Sequence, residues 1–155
     1  MSQATEASTL LEGALGGLTV EDAMHAGVIS CPPATTLRAA ARMLSTYRVH
    51  AVMVVPRHHA DAGHVASWEL VSDVDLMQAA TERDLDRATV GEIAGGPVRC
   101  VQPDQPLATA VLTMLTNGVA HVVVVDRRSG RPVGILSALD VARALAGDAW
   151  PDEEC

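Results

Sequence analysis

The sequence predicts an α/β (α+β) protein made of two pseudo-symmetric β-α-β-β-α halves packed sheet to sheet. Three observations lead there. The stretch "TVEDAM" at Thr19–Met24 returns as "TVGEIA" at Thr89–Ala94, an offset of 70. Val28, Pro33, Leu37 and the run "VHAVMVV" return at the same offset as Val98, Pro103, Leu107 and "VAHVVVV", with Met43 falling beside Met114. After Val55 and Val125 the offset drops to 65, so Ser72 matches Ser137 and Asp75 matches Asp140, and the first copy carries five extra loop residues. Self-similarity at a fixed period means that one supersecondary unit has been written twice.

Each element follows in order. Residues 1–18, with Gly13, Gly16 and Gly17, read as a loosely held leader. Repeat 1 spans 19–82, a linker 83–88, repeat 2 89–146, and 147–155, ending "DAWPDEEC", an acidic tail. In each repeat a short extended piece (Val28–Cys31; Val98–Val101) meets a proline turn. An amphipathic helix follows, with Leu37, Ala40, Ala41 and Leu44 in one copy and Leu107, Val111, Met114 and Leu115 in the other, spaced for one helical face. The runs Ala51–Val55 and His121–Val125 are short and nearly continuously apolar, as strands covered on both faces are. A second strand (Val65–Val71; Pro132–Leu136) and a second helix (Asp73–Thr81; Ala138–Ala146) complete each copy. A half-domain with one apolar sheet face cannot stand alone in water, so the two copies are expected to pack around a pseudo-two-fold axis.

Composition bounds the function. Hydrophobic residues make up 48% of 155, yet there is no Phe, and Tyr47, Trp68 and Trp150 are the aromatic residues. Stacking platforms for bases are therefore scarce. A net charge of -8, with eleven Arg and no Lys, opposes a phosphate backbone, so nucleic acid is not an expected partner. No run approaches the roughly 20 apolar residues of a membrane span and the N-terminus lacks a signal-peptide layout, so the chain reads as cytoplasmic, with no membrane partner. An Ala-, Arg- and Val-rich chain without Lys suggests a GC-rich bacterial genome. Cys31, Cys100 and Cys155 are odd in number and lack C-x-x-C spacing, which supports neither a disulfide framework nor a zinc knuckle.

Both copies end a strand in S-x-x-D: "WELVSDVD" with Ser72 and Asp75, "VGILSALD" with Ser137 and Asp140. At a helix start this spacing makes a capping box, in which the Ser oxygen accepts one backbone N–H and the acid reaches back to another. The same geometry suits a ligand: open N–H groups and a hydroxyl face an anion, while a carboxylate one turn on can accept both hydroxyls of a ribose. Both readings stand on the residues alone.

With these repeated features in order, the chain resembles a tandem pair of cystathionine-β-synthase-type (CBS) domains, a Bateman module, over about Thr19–Ala146. The resemblance implies a stand-alone, non-catalytic regulatory module that binds an adenosine-containing ligand and signals through rearrangement of a homodimer on an unknown protein target. It places the acid on the ribose hydroxyls and the Ser at or near phosphate. One cleft would then use Ser137 and Asp140 with Val28, Val49, His50 and Ala51, and the pseudo-symmetric one Ser72 and Asp75 with Val98, Val119, Ala120 and His121. Aliphatic walls and backbone amides suffice for adenine. The family often has a Gly before the motif, which Gly134 keeps and Glu69 does not, and Asp73 would repel a polyphosphate. The Asp140 cleft is thus favoured, with AMP, ADP or an adenosyl compound such as S-adenosylmethionine, or ATP if His50, His121, Arg48 or another arginine turns inward. No cofactor is obligatory.

Two rivals remain. Both S-x-x-D elements can be caps in a structural interaction protein. Alternatively His58, His59, Asp61 and His64, close together in "RHHADAGH", can ligate zinc or nickel, although such a loop is more often a solvated connection and no second ligand set stands nearby in sequence. No Cys–His spacing supports a catalytic dyad.

Overall fold

The opening helix of each copy packs with the body of the other copy. A computed structural model describes residues 2–55, 68–95 and 98–147, and its elements run in the order α1 (Ser2–Leu15), α2 (Val20–Ala23), β1 (His25–Ala26), β2 (Ser30–Cys31), α3 (Leu37–Tyr47), β3 (Ala51–Val54), β4 (Glu69–Ser72), α4 (Asp73–Ala80), α5 (Val90–Ile93), β5 (Cys100–Val101), α6 (Leu107–Asn117), β6 (His121–Val125), β7 (Pro132–Ser137) and α7 (Ala138–Ala146). The chain divides into two units, one spanning Met1–Gly27, Arg99–Arg128 and Pro132–Cys155, the other Val28–Val98 and Ser129–Arg131. The sequence repeats therefore exchange their first segments. Backbone bonds repeat the exchange in register: Val20 N–H donates to Gln105 O and Glu21 N–H to Pro103 O in the first unit, as Val90 N–H does to Thr35 O and Gly91 N–H to Pro33 O in the second.

In the first unit the sheet runs β1-β7-β6-β5, and in the second β2-β3-β4. In both, a parallel pair (β5 with β6; β2 with β3) is joined through a crossover helix, α6 or α3, and an antiparallel pair (β6 with β7; β3 with β4) leads into α7 or α4. Parallel neighbours need such a crossover, which is why the apolar helix falls between the first two strands of each copy. The β-α-β-β-α order expected from the sequence is present twice. The extended pieces are shorter than expected, the strands being Ser30–Cys31 and Cys100–Val101. The second strand of copy 1 is Glu69–Ser72, and the residues from 56 to 67 before it lie outside those described.

Each unit has its own core. Leu107, Val111, Met114, Val122, Val124, Leu136 and Val141 fill the first, and Leu37, Leu44, Val52, Val54, Val71 and Leu76 the second. Completely burying one such side chain contributes roughly 1.5–3 kcal/mol, which lets aliphatic residues alone hold both cores together. The helices end alike. Asn117 is followed by Gly118 at φ 61, and Tyr47 by Arg48 at φ 53, both in the left-handed region.

The segment expected as a loose leader is helix α1 instead. Its Leu15 is buried and Leu11 packs on the first core, with α6 and α7 as the neighbouring helices. Gly16 and Gly17, at φ 60 and 78, stop this helix rather than loosen it. In the second unit the linker plays the corresponding part: Leu85 packs on the core, and Ala88 O accepts the N–H of Leu37 just as Leu18 O accepts that of Leu107.

Candidate functional site

Ser137 ends β7 in extended conformation and starts α7, so its side chain meets the first turn of the helix. Its N–H and its hydroxyl both donate to Oδ2 of Asp140, at 2.8 and 2.9 Å, and its Oγ accepts the N–H of Asp140 at 3.2 Å. Ser72 and Asp75 repeat this arrangement with the same three distances. The capping box is thus present in both copies. A consequence is that each Ser hydroxyl proton is committed to its Asp and is not offered to a phosphate while the box is closed.

A third box went unremarked in the sequence. Thr19 donates through its N–H and hydroxyl to Asp22 Oδ2, at 2.8 and 2.9 Å, with the same S/T-x-x-D spacing that would have revealed it. These bonds, the backbone one foremost, hold the Asp22 carboxyl below the usual carboxylate range. Comparing the three boxes separates cap from site. Asp22 is exposed and Asp75 partly buried, whereas Asp140 is 3% exposed. A cap needs no burial, and burying a carboxylate is costly unless it is fully paired.

The two oxygens of Asp140 meet different groups. Oδ2 carries both Ser137 donors, while Oδ1 faces Nδ1 of His25 at 3.6 Å, beyond hydrogen-bond length, and the His side chain is 44% exposed. His25 comes from the exchanged segment of copy 1, which sequence reasoning did not connect with Asp140. Strand β1 is set by pairing His25 with Ile135 and Ala26 with Gly134, and by Gly27 N–H donating to Val133 O at 2.8 Å. Gly134, expected to leave room for a ligand, instead admits this backbone: a Cβ there would collide with His25 O and lie 2.9 Å from Met24 Sδ. Glu69 is tolerated at the matching position because, among the described residues, β4 pairs with β3 alone.

The second unit has a different His–carboxylate contact. His50 Nδ1 lies 2.9 Å from Asp73 Oδ2, and Asp73 Oδ1 accepts the N–H of Val74 at 2.8 Å. The backbone beneath it is shared, since Asp73 N–H donates to His50 O as Ala138 N–H does to Ala120 O, both at 2.9 Å. Copy 2 keeps the scaffold with two alanines and no charge.

The remaining predicted residues are distributed over both units. Val28, Val49, His50, Ala51, Ser72, Asp75 and Val98 belong to the second, and Val119, Ala120, His121, Ser137 and Asp140 to the first. Val49 and Val119 pack against the core of their own unit, Ala51 is buried, Ala120 is exposed, and His121 lies in β6 opposite Ser137. His58, His59, Asp61 and His64 lie outside the described residues, and no group of three metal-binding side chains occurs within them. Desolvation pushes the Cys31 and Cys100 thiols up, which lowers their thiolate fraction at neutral pH. No helix among the described residues is long and apolar enough to cross a membrane.

Comparison with known proteins agrees with this architecture. No curated protein matches the chain. The CBS domain family model matches twice, over residues 20–82 and 90–147. Among solved structures, the CBS domain pair of protein MJ0100 in complex with 5-methylthioadenosine and S-adenosyl-L-methionine is 22% identical, with a TM-score of 0.70 over 84% of this chain and 97% of that one. Hypoxic Response Protein I, solved with two coordinated zinc ions, is 25% identical, with a TM-score of 0.62 over 81% of this chain and 98% of that one. A putative signal-transduction protein with CBS domains from Burkholderia ambifaria is 19% identical, with a TM-score of 0.66 over 92% and 97%. Two family matches covering most of the chain, on a fold whose sheets and helices repeat in the same order, establish that this protein belongs to the CBS domain family and is a tandem CBS pair.

Proposed function

We propose that this CBS pair is a non-catalytic regulatory module that takes an adenosine-containing ligand on Asp140 and acts as a homodimer on a protein target. The observation that carries the reading is a carboxylate that is 3% exposed, with Oδ2 taking both donors of Ser137 and Oδ1 turned away from them toward His25 at 3.6 Å. A vicinal diol offers two O–H donors to such an oxygen, and bonds to a charged acceptor are worth roughly 1.5–3 kcal/mol each. The complex of MJ0100 with 5-methylthioadenosine and S-adenosyl-L-methionine supports the ligand class. Ligand would shift the dimer between arrangements by as much as it binds one better than the other.

Calorimetric titration with AMP, ADP, ATP, S-adenosylmethionine and 5′-methylthioadenosine tests the reading. Heat from at least one of them that disappears in Asp140→Ala is expected, and heat from none overturns it. The complete capping boxes favour a second reading, in which both motifs only start helices and the protein is a structural partner. In that case Ser137→Ala lowers thermal stability and no adenosyl compound raises it.

A further inference from the structure

We infer that the Asp140 motif takes an adenosine derivative whose 5′ substituent is uncharged or positively charged, and discriminates against 5′-phosphates. The inference rests on the proposed role of Asp140 and narrows the ligand class. A helix start receives phosphate through open N–H groups and a neighbouring hydroxyl, and here most of these are already used. The N–H of Ser137 donates to Asp140 Oδ2 at 2.8 Å, that of Ala138 to Ala120 O at 2.9 Å, and that of Asp140 to Ser137 Oγ at 3.2 Å. The Ser137 hydroxyl donates to Asp140 Oδ2 as well, at 2.9 Å. Of the N–H groups from Ser137 to Asp140, only that of Leu139 lies outside these bonds.

Charge acts in the same direction. The positive end of the α7 dipole is met by the carboxylate of Asp140, the acidic residue of the first turn, while the basic residue Arg143 stands in the last turn. A 5′-phosphate would bring like charge close to a carboxylate that is buried and so poorly screened. It would also exchange its water for the single N–H of Leu139, and a charge stripped of water without matching donors is costly. A nucleoside makes neither demand, because its diol donates to the carboxylate and a 5′ hydroxyl, thioether or sulfonium adds no negative charge. The Ser72 motif goes further. Asp73 N–H donates to His50 O, Asp75 N–H to Ser72 Oγ, and Val74 N–H to Asp73 Oδ1 at 2.8 Å, so a second carboxylate sits on the donor that Leu139 matches in copy 2.

The test titrates the full chain calorimetrically with adenosine, 5′-methylthioadenosine, S-adenosylmethionine, AMP and ATP at about pH 8, where histidine is ordinarily neutral. At least one of the first three should bind about tenfold or more tightly than either nucleotide. Asp140→Ala should weaken that binding, as should the near-isosteric Asp140→Asn, which serves if the alanine variant folds poorly. AMP or ATP binding within that margin, or more tightly, and weakened in the Asp140 variants overturns the preference and leaves the adenosyl reading intact. Heat from none of the five, or binding undiminished in both Asp140 variants, overturns both.

Discussion

Gly134 and the carbonyl oxygen of His25 are so close that no Cβ fits between them. Strand β1 therefore rests on a glycine, and the position of His25 beside Asp140 depends on it. In Gly134→Ala, the usual gain of roughly 0.4–1 kcal/mol from a less flexible unfolded chain competes with an overpacking cost of about 1–3 kcal/mol, and the cost should win. Urea unfolding should show a net loss, and an unchanged midpoint would mean that β1 moves aside freely.

The Ser137 and Ser72 boxes share geometry but not burial. Replacing either Ser with Ala removes a cap worth about 0.5–2 kcal/mol. Ser137→Ala should cost more than Ser72→Ala, because Asp140 loses a donor in a buried setting and Asp75 in a wetter one. Chemical denaturation of the two variants side by side measures the difference. Equal losses would show that burial of Asp140 adds nothing.

Helix α3 ends on Arg48 in the left-handed conformation that Gly118 takes after α6. A side chain there costs about 1–2 kcal/mol, part of which glycine returns as unfolded-state entropy. Arg48→Gly should stabilise the protein by roughly 0.5–1 kcal/mol, and Gly118→Arg should do the reverse. Thermal and urea unfolding read both, and destabilisation of Arg48→Gly would reveal an energetic role for the Arg side chain.

Two exposed carboxyls set part of the acid response. Asp22 is held low by Thr19 and Asp86 by its hydrogen bonds with Arg38. A carboxyl whose folded pKa is depressed stabilises the fold above its ordinary value, here 3.8, and that stability is lost as pH falls through the folded value. Asp22→Asn and Asp86→Asn should each flatten the fall in stability between about pH 4 and 2. The Asp86 contribution, from an exposed ion pair, should also shrink in high salt. Unfolding midpoints across pH and salt check both, and acid limbs as steep as the native one would refute the assignment.

Much of the fold was legible because its information is local. Apolar spacing at Leu37, Ala40 and Leu44 is a helix wherever the chain goes, and Val122–Val124 is a buried strand for the same reason. The leader was misread because Gly16 and Gly17 look like looseness in one dimension, and only the packing of Leu11 and Leu15 shows that they end a helix. His50 and Asp73, 23 positions apart, meet because β3 runs beside β4, which no spacing rule announces.

The candidate site divides in the same way. Repetition by itself determined that the chain is a tandem pair and that Ser72, Asp75, Ser137 and Asp140 begin helices, since an offset and a capping spacing are properties of the string. Tertiary structure decided what each motif is worth. Three S/T-x-x-D boxes are nearly alike within four residues, and they diverge in the burial of their carboxylates, which depends on distant segments. His25 reaches Asp140 because the first segment of one copy completes the sheet of the other, a contact across 115 positions that only long-range strand pairing creates.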